Sequence, residues 1–244
     1  MDAPLSPMTL PVDDNINPYA FCVDLNGEWF LHKGKMIAYY GRMRFEALTV
    51  ASVSALVAAR FSSPLYAQDW VVATGLGKLV LGDRGYDINS YDLDDGNLTV
   101  RAANLLAFET RLELKQSIVP GFLTLIGTGK FLASANGPVI FAEPPIRVDP
   151  EALVGWADCP SPSYHYDGQW MAQNLVGLLR GAVGVQSGEE RQFDFTGAGT
   201  VLIQSSEKTL ADPAALRMME QQLTALSQAE KQHLHRFLGA QLAQ

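Results

Sequence analysis

The sequence predicts an all-β fold, a β-sandwich or barrel-like roll, followed by a helical tail. Three observations lead there. Between residues 20 and 204 short apolar runs alternate with glycine and turn residues, the pattern of many short strands. Two motifs recur in that stretch in the same order, as a duplicated β unit requires. From Glu207 onward the apolar positions change to the three-four rhythm of an amphipathic helix. The domains expected are a flexible leader (1–18), a repeated β domain (19–206) and the tail (207–244).

The leader holds Asp2, Asp13, Asp14 and four prolines, and no Lys or Arg precedes Lys33. A secretory signal needs a basic start and a mitochondrial transit peptide is Arg-rich, so neither fits. The expected location is the cytoplasm, with Cys22 and Cys159 reduced. Cys22 lies in the strand-like run Tyr19 to Val23 and reads as a small buried hydrophobe. Cys159, in Asp158-Cys159-Pro160, has no basic sequence neighbour to activate it.

The first recurring motif is G-x-G, then Lys or Thr, then apolar residues. Gly75-Leu76-Gly77-Lys78-Leu79, Gly127-Thr128-Gly129-Lys130-Phe131 and Gly197-Ala198-Gly199-Thr200-Val201 are its copies, and Gly27 to Leu31 is a degenerate one. The second aligns Leu98-Thr99-Val100 to Phe108 with Ile146-Arg147-Val148 to Trp156, without gaps. Its shared form is aliphatic-x-Val, four variable residues, then Leu-aliphatic-small-aromatic. Runs such as Phe122 to Ile126 suit strands buried on both faces. Turns are expected at Gly82 to Gly85, Asp94 to Asn97 and Asn136 to Pro138.

Helical spacing occurs in Ala51 to Arg60, through Val53, Leu56 and Val57, and again in Gln169 to Val183. In the tail, Asp212-Pro213 is a cap followed by a first-turn proline. Leu216, Met219, Leu223 and Leu226 form one stripe. Ser227 to Glu230 is a capping box for a second helix carrying Leu234, Phe237, Leu238 and Leu242. With four acids and four bases the tail is neutral. Its stripe has three destinations: its own body, another subunit or another protein.

Composition excludes several classes. In 244 residues, 48% are hydrophobic and 18% charged, below the usual charged share of roughly 25% and unlike a disordered chain. No apolar stretch reaches the roughly 20 residues of a membrane-spanning helix. A net charge of −8 argues against tracking nucleic-acid phosphates. Two cysteines are too few for a disulfide framework.

Tests for chemistry fail one by one. Thr124 stands where a phosphate loop ending Gly129-Lys130 needs glycine, and Phe131 stands where it needs Ser or Thr. Val80 replaces the third glycine of a dinucleotide fingerprint. An EF-hand beginning at Asp92 breaks at Gly96 and Ala103. His233 and His235 are two apart and point different ways on a helix. Tyr164-His165-Tyr166, beside Asp167, is the one polar-aromatic cluster, and no base or orienting group completes a Cys159–His165 pair. No catalytic residue, cofactor or metal ligand is expected.

The repeated G-x-G strands, Leu105-Leu106-Ala107-Phe108 and the closing Gly197 to Gln204 resemble the AIM family, the mitochondrial-biogenesis group named for altered inheritance of mitochondria. Gly34-Lys35-Met36-Ile37 is similar to an early element of that family, and the resemblance covers roughly residues 20 to 206. It implies a fold like that of the tryptophan RNA-binding attenuation protein (TRAP-like), a double-stranded β-helix roll prone to ring or trimer assembly. It carries no catalytic set.

The function expected is a non-enzymatic β scaffold that self-associates and acts through protein contacts. The alternative is a small-molecule binding module. Trp156, Tyr164, His165 and Tyr166 are the candidate ligand surface, and Leu223 and Leu234 the candidate contact stripe. A homo-oligomer with an unknown protein partner is expected, without nucleic acid or membrane span.

Overall fold

A computed structural model describes residues 6–48, 53–165, 192–207, 221, 225, 227 and 228. The chain divides into two compact units, Met1–Leu210 and Ala211–Gln244. The elements below belong to the first. The expected helix of 169–183, Tyr166, Leu223, Leu234 and the Asp212-Pro213 cap lie outside the described residues, as does Glu230 of the expected capping box, whose Ser227 is non-helical and Gln228 helical.

The body is all-β, as the short apolar runs predict. Its strands are β1 (Asp14–Asn17), β2 (Ala20–His32), β3 (Met36–Ala47), β4 (Phe61–Ser62), β5 (Trp70–Gly82), β6 (Asp87–Arg101), β7 (Leu105–Glu109), β8 (Glu113–Gln116), β9 (Phe122–Ala135), β10 (Val139–Ala142), β11 (Ile146–Val148), β12 (Leu153–Ala157), β13 (Ser163–His165), β14 (Gln192–Phe195) and β15 (Thr200–Gln204). One 12-stranded sheet runs β10-β15-β12-β6-β9-β7-β2-β5-β3, with β1 beside β2 and β8 bridging β4 and β9. All its pairs are antiparallel except β4 with β8. A separate three-stranded sheet runs β11-β14-β13.

The long strands are bent, and the G-x-G spacing explains how. Side chains two apart share a face of a strand. In β2 the odd residues Phe21, Val23, Leu25, Trp29 and Leu31 all enter one core cluster, with Gly27 among them. In β5 the odd residues Ala73, Leu79 and Leu81 do the same, with Gly75 and Gly77 between. Tyr39 and Phe45 of β3 sit six residues apart, about 20 Å along an extended strand. Their rings are nevertheless 5.4 Å apart. The strand therefore turns sharply between them, at Gly41. Gly41 faces Gly77 across the ladder, and Gly75 faces Gly27. A Cβ on Gly75 or Gly77 would collide with the carbonyl of Arg42 or Tyr40. Between β3 and β5 the corner has no room for a side chain at Gly41, Gly75 or Gly77, whereas Gly27 of β2 has open space beside it.

Sequence and structure differ at three places. Asp94 to Asn97, expected as a turn, lies inside β6, where a bulge between Leu93 and Gly96 bends the strand over Gly127 and Gly129 of β9. The Asp95 amide donates to Thr128 Oγ1 at 2.9 Å and holds the bulge. The helix in 51–60 is shorter than its spacing implies: α1 is Ala55–Arg60, with Ser54 at the N-cap position and no capping hydrogen bond from its side chain. Val57 is buried and Leu56 is 81% exposed. The leader is not loose where it is described. Leu10 is buried against Cys22 and Val80, β1 pairs with β2, and Asp13 Oδ1 accepts the Asp24 amide at 2.8 Å. Leu10 and Ile16 pack on Cys22 and Val80, two even residues of β2 and β5.

Candidate functional site

The main run of the large sheet ends in β3 and β10, with the short β1 and β4 as side edges on β2 and β8. The two ends of the run are built differently. β10 is four residues long, with Pro138 before it and Pro144-Pro145 shortly after. Short length and flanking proline are the means by which natural sheets blunt an edge. β3 is 12 residues long and contains neither Pro nor Lys. Its outer side carries no strand among the described residues. Met36, Ile37 and Tyr39 are exposed on it. Met43 and Phe45 are half-buried, packed on the edge of the main core cluster. Arg42, Arg44 and Glu46 alternate with these on the opposite face, and no described ion pair includes them.

The aromatic candidates divide between core and surface. Trp156 of β12 is 3% exposed and packs between Phe122, at 5.0 Å, and Phe195, at 5.7 Å. The Arg101 guanidinium lies 4.8 Å above the Phe122 ring. Tyr164 of β13 is 45% exposed and stacks on Phe193 of β14 at 4.9 Å. Phe193 in turn meets Phe122 edge-on, so the stack joins Tyr164 to the Trp156 cluster. The backbone of His165 ends β13, and its side chain lies outside the described residues.

The sequence reading missed a polar knot that holds four connections together. Lys35, from the β2–β3 turn, pairs with Asp83, from the β5–β6 turn. Ser134 of β9 donates to the other oxygen of Asp83 at 2.6 Å. Asn104, after β6, donates to the Ser134 carbonyl at 2.6 Å. The Asp83 and Ser134 side chains are shut off from water. The residues come from four separate loops and strands, so no sequence spacing signals the knot. A second polar feature sits on β6: the buried Tyr91 hydroxyl, with its ring stacked on Phe131, has no hydrogen-bond partner and burial pushes its pKa up.

Burial raises both thiols above the ordinary 9.0 and keeps them protonated at neutral pH. Cys159 packs on the Trp156 cluster, with Asp158 adding to the rise. Burial lowers His32 below 6.5, against the opposing effect of its contact with the Lys33 carbonyl. Among the described residues no group of His, Cys, Asp and Glu could hold a metal ion. No described helix is long and apolar enough to cross a membrane.

The described residues thus form a mainly antiparallel β body with cornered strands, whose main sheet ends in the short β10 on one side and the long β3 on the other. The family model described as Mitochondrial biogenesis AIM24 matches residues 21–206, and the chain belongs to that family. Among solved structures it is similar to the crystal structure of protein SPYM3_0169 from Streptococcus pyogenes, at 18% identity and a TM-score of 0.54. That match covers 79% of this chain and 91% of the other, and it shows a shared fold. No curated protein matches the chain.

Proposed function

We propose that this protein is a self-associating, non-enzymatic β scaffold that acts in the cytoplasm through contacts with other protein chains. The observation that carries the reading is β3. A long terminal strand that pairs with no further strand among the described residues, with Met36, Ile37 and Tyr39 exposed, is a template for another strand. The neutral helical tail, with Leu223 and Leu234 on its stripe, supplies a second contact in this reading.

Within the proposal the body is a TRAP-like double-stranded β-helix roll with a duplicated unit. The placement of two of the three G-x-G copies supports this, while the third, Gly197-Ala198-Gly199, lies in the turn before β15. Gly75-Leu76-Gly77 and Gly127-Thr128-Gly129 both fall within long strands, β5 and β9. Both copies of the second motif are strand, turn, strand: the end of β6 into β7, and β11 into β12.

Native mass spectrometry of the full chain tests the proposal. A discrete integer multiple of the chain mass is expected. A monomer at every concentration tried would overturn it. A reproducible extra mass on a monomer would instead favour the small-molecule binding module, with the half-exposed Tyr164–Phe193 stack as its first candidate surface.

A further inference from the structure

An open edge does not by itself say what pairs with it, but the charges on β3 do. Arg44 and Glu46 lie on one face, two residues apart, with Phe45 between them on the other. Their cross-strand neighbours on β5 are Thr74 and Val72, so neither charge is answered inside the sheet. Arg44 is exposed, and Phe45 and Glu46 are half-buried.

We propose that β3 pairs antiparallel with β3 of a second copy, about a twofold axis through Phe45. This rests on the self-association proposed above and specifies its interface. In that register Arg44 of each copy stands opposite Glu46 of the other, giving two symmetric ion pairs on one face. On the other face Phe45 meets Phe45, and Met43 meets Ala47. Met43 and Phe45 already pack on the main core cluster, so the partner strand continues that core rather than starting a new one. Neighbouring registers match the charges less well: moving the axis to Arg44 keeps Arg42 opposite Glu46 but opposes the two arginines, moving it to Met43 opposes Arg42 to Arg44, and moving it to Gly41 opposes no like charges but forms no ion pair. Cross-strand pairs of opposite charge stabilise a ladder and like charges directly opposite destabilise it.

The geometry also fixes the size of the assembly. An isologous contact uses the same patch twice and closes at two subunits. A β3-to-β10 contact would be head-to-tail and would continue to a ring or a filament. The proline-bracketed, four-residue β10 does not offer β3 a matching edge.

The test uses two charge variants of the full chain, R44E and E46R, in sedimentation velocity at low salt. R44E alone places carboxylate against carboxylate across the dyad, and E46R alone places guanidinium against guanidinium. Each is expected to weaken the dimer at least about tenfold. Mixed one to one, the two variants complement each other at both ion pairs, and a heterodimer is expected to return at near wild-type strength. If the wild type assembles as a trimer or larger ring, the twofold β3 interface is wrong. If it dimerises and both variants dimerise equally well, self-association stands and this interface falls. A wild type that stays monomeric overturns both.

Discussion

Asp83 is the residue on which the most separate pieces of chain depend. Its two oxygens serve Lys35 and Ser134, and Ser134 in turn orders Asn104. Asp83→Ala leaves the largely buried Lys35 ammonium without its carboxylate and the Ser134 hydroxyl with only the longer contact to the Asn104 carbonyl, at 3.3 Å. The expected loss is about 3 kcal/mol, at the lower end for a broken buried ion pair because Lys35 retains some access to water. Urea denaturation reads this as a lower midpoint with an unchanged slope. His32 gives a pH dependence. Burial lowers its pKa in the folded state, so the unfolded chain binds the proton first as pH falls. The stability it provides is complete above its ordinary 6.5 and declines as pH drops toward the lowered folded value. Thermal melts between about pH 7.5 and about pH 5.5 should show this decline, and His32→Gln should flatten it.

At the scale of the element, the corner glycines are the clearest case of sequence dictating shape. Gly75 and Gly77 have φ of +150° and +149°, and a side chain at either would strike the backbone of β3. Gly75→Ala or Gly77→Ala should cost about 3 kcal/mol. Gly34, in the β2–β3 turn at φ +77° with open space around it, is the control. Gly34→Ala should cost only about 1 kcal/mol, the left-handed backbone penalty alone. Melting temperatures of the three variants give the comparison. The G-x-G motif was legible as structural because two glycines two apart share a face, and the phosphate-loop alternatives failed at Thr124 and Phe131. Asp94 to Asn97 misled because a bulge and a turn call for the same residues. Which one forms depends on whether the strand continues beyond it, and here Leu98 to Val100 continue it against β12. Leu10 was hidden for a related reason. The scattered apolar residues of a proline-rich leader show no period, and the burial of Leu10 depends on apolar residues of two distant strands, Cys22 and Val80.

At the scale of the whole molecule, the all-β body and its family were readable from repeats that recur along the chain. The open edge was not, because which strand ends a sheet is a property of topology rather than of local pattern. Nothing in Met36 to Ala47 distinguishes an edge strand from an inner one except that its apolar residues are only half-covered in the fold. The tail enters here as an independent prediction. Leu223→Asp and Leu234→Asp should weaken assembly or partner binding. If both variants match the wild type in native mass spectrometry, the tail makes no contact.

The proline-bracketed β10 has a consequence best put in the language of polymerisation. A unit with two reactive ends grows into chains, and a unit with one can only couple and stop. In the proposed assembly, Pro138 and Pro144-Pro145, which confine β10 to four residues, leave β3 as the working end and the protein close to monofunctional. Concentrating it should then saturate at a fixed particle size instead of lengthening into fibrils, and substitutions that relieve those prolines would be the ones to convert a terminating unit into a propagating one.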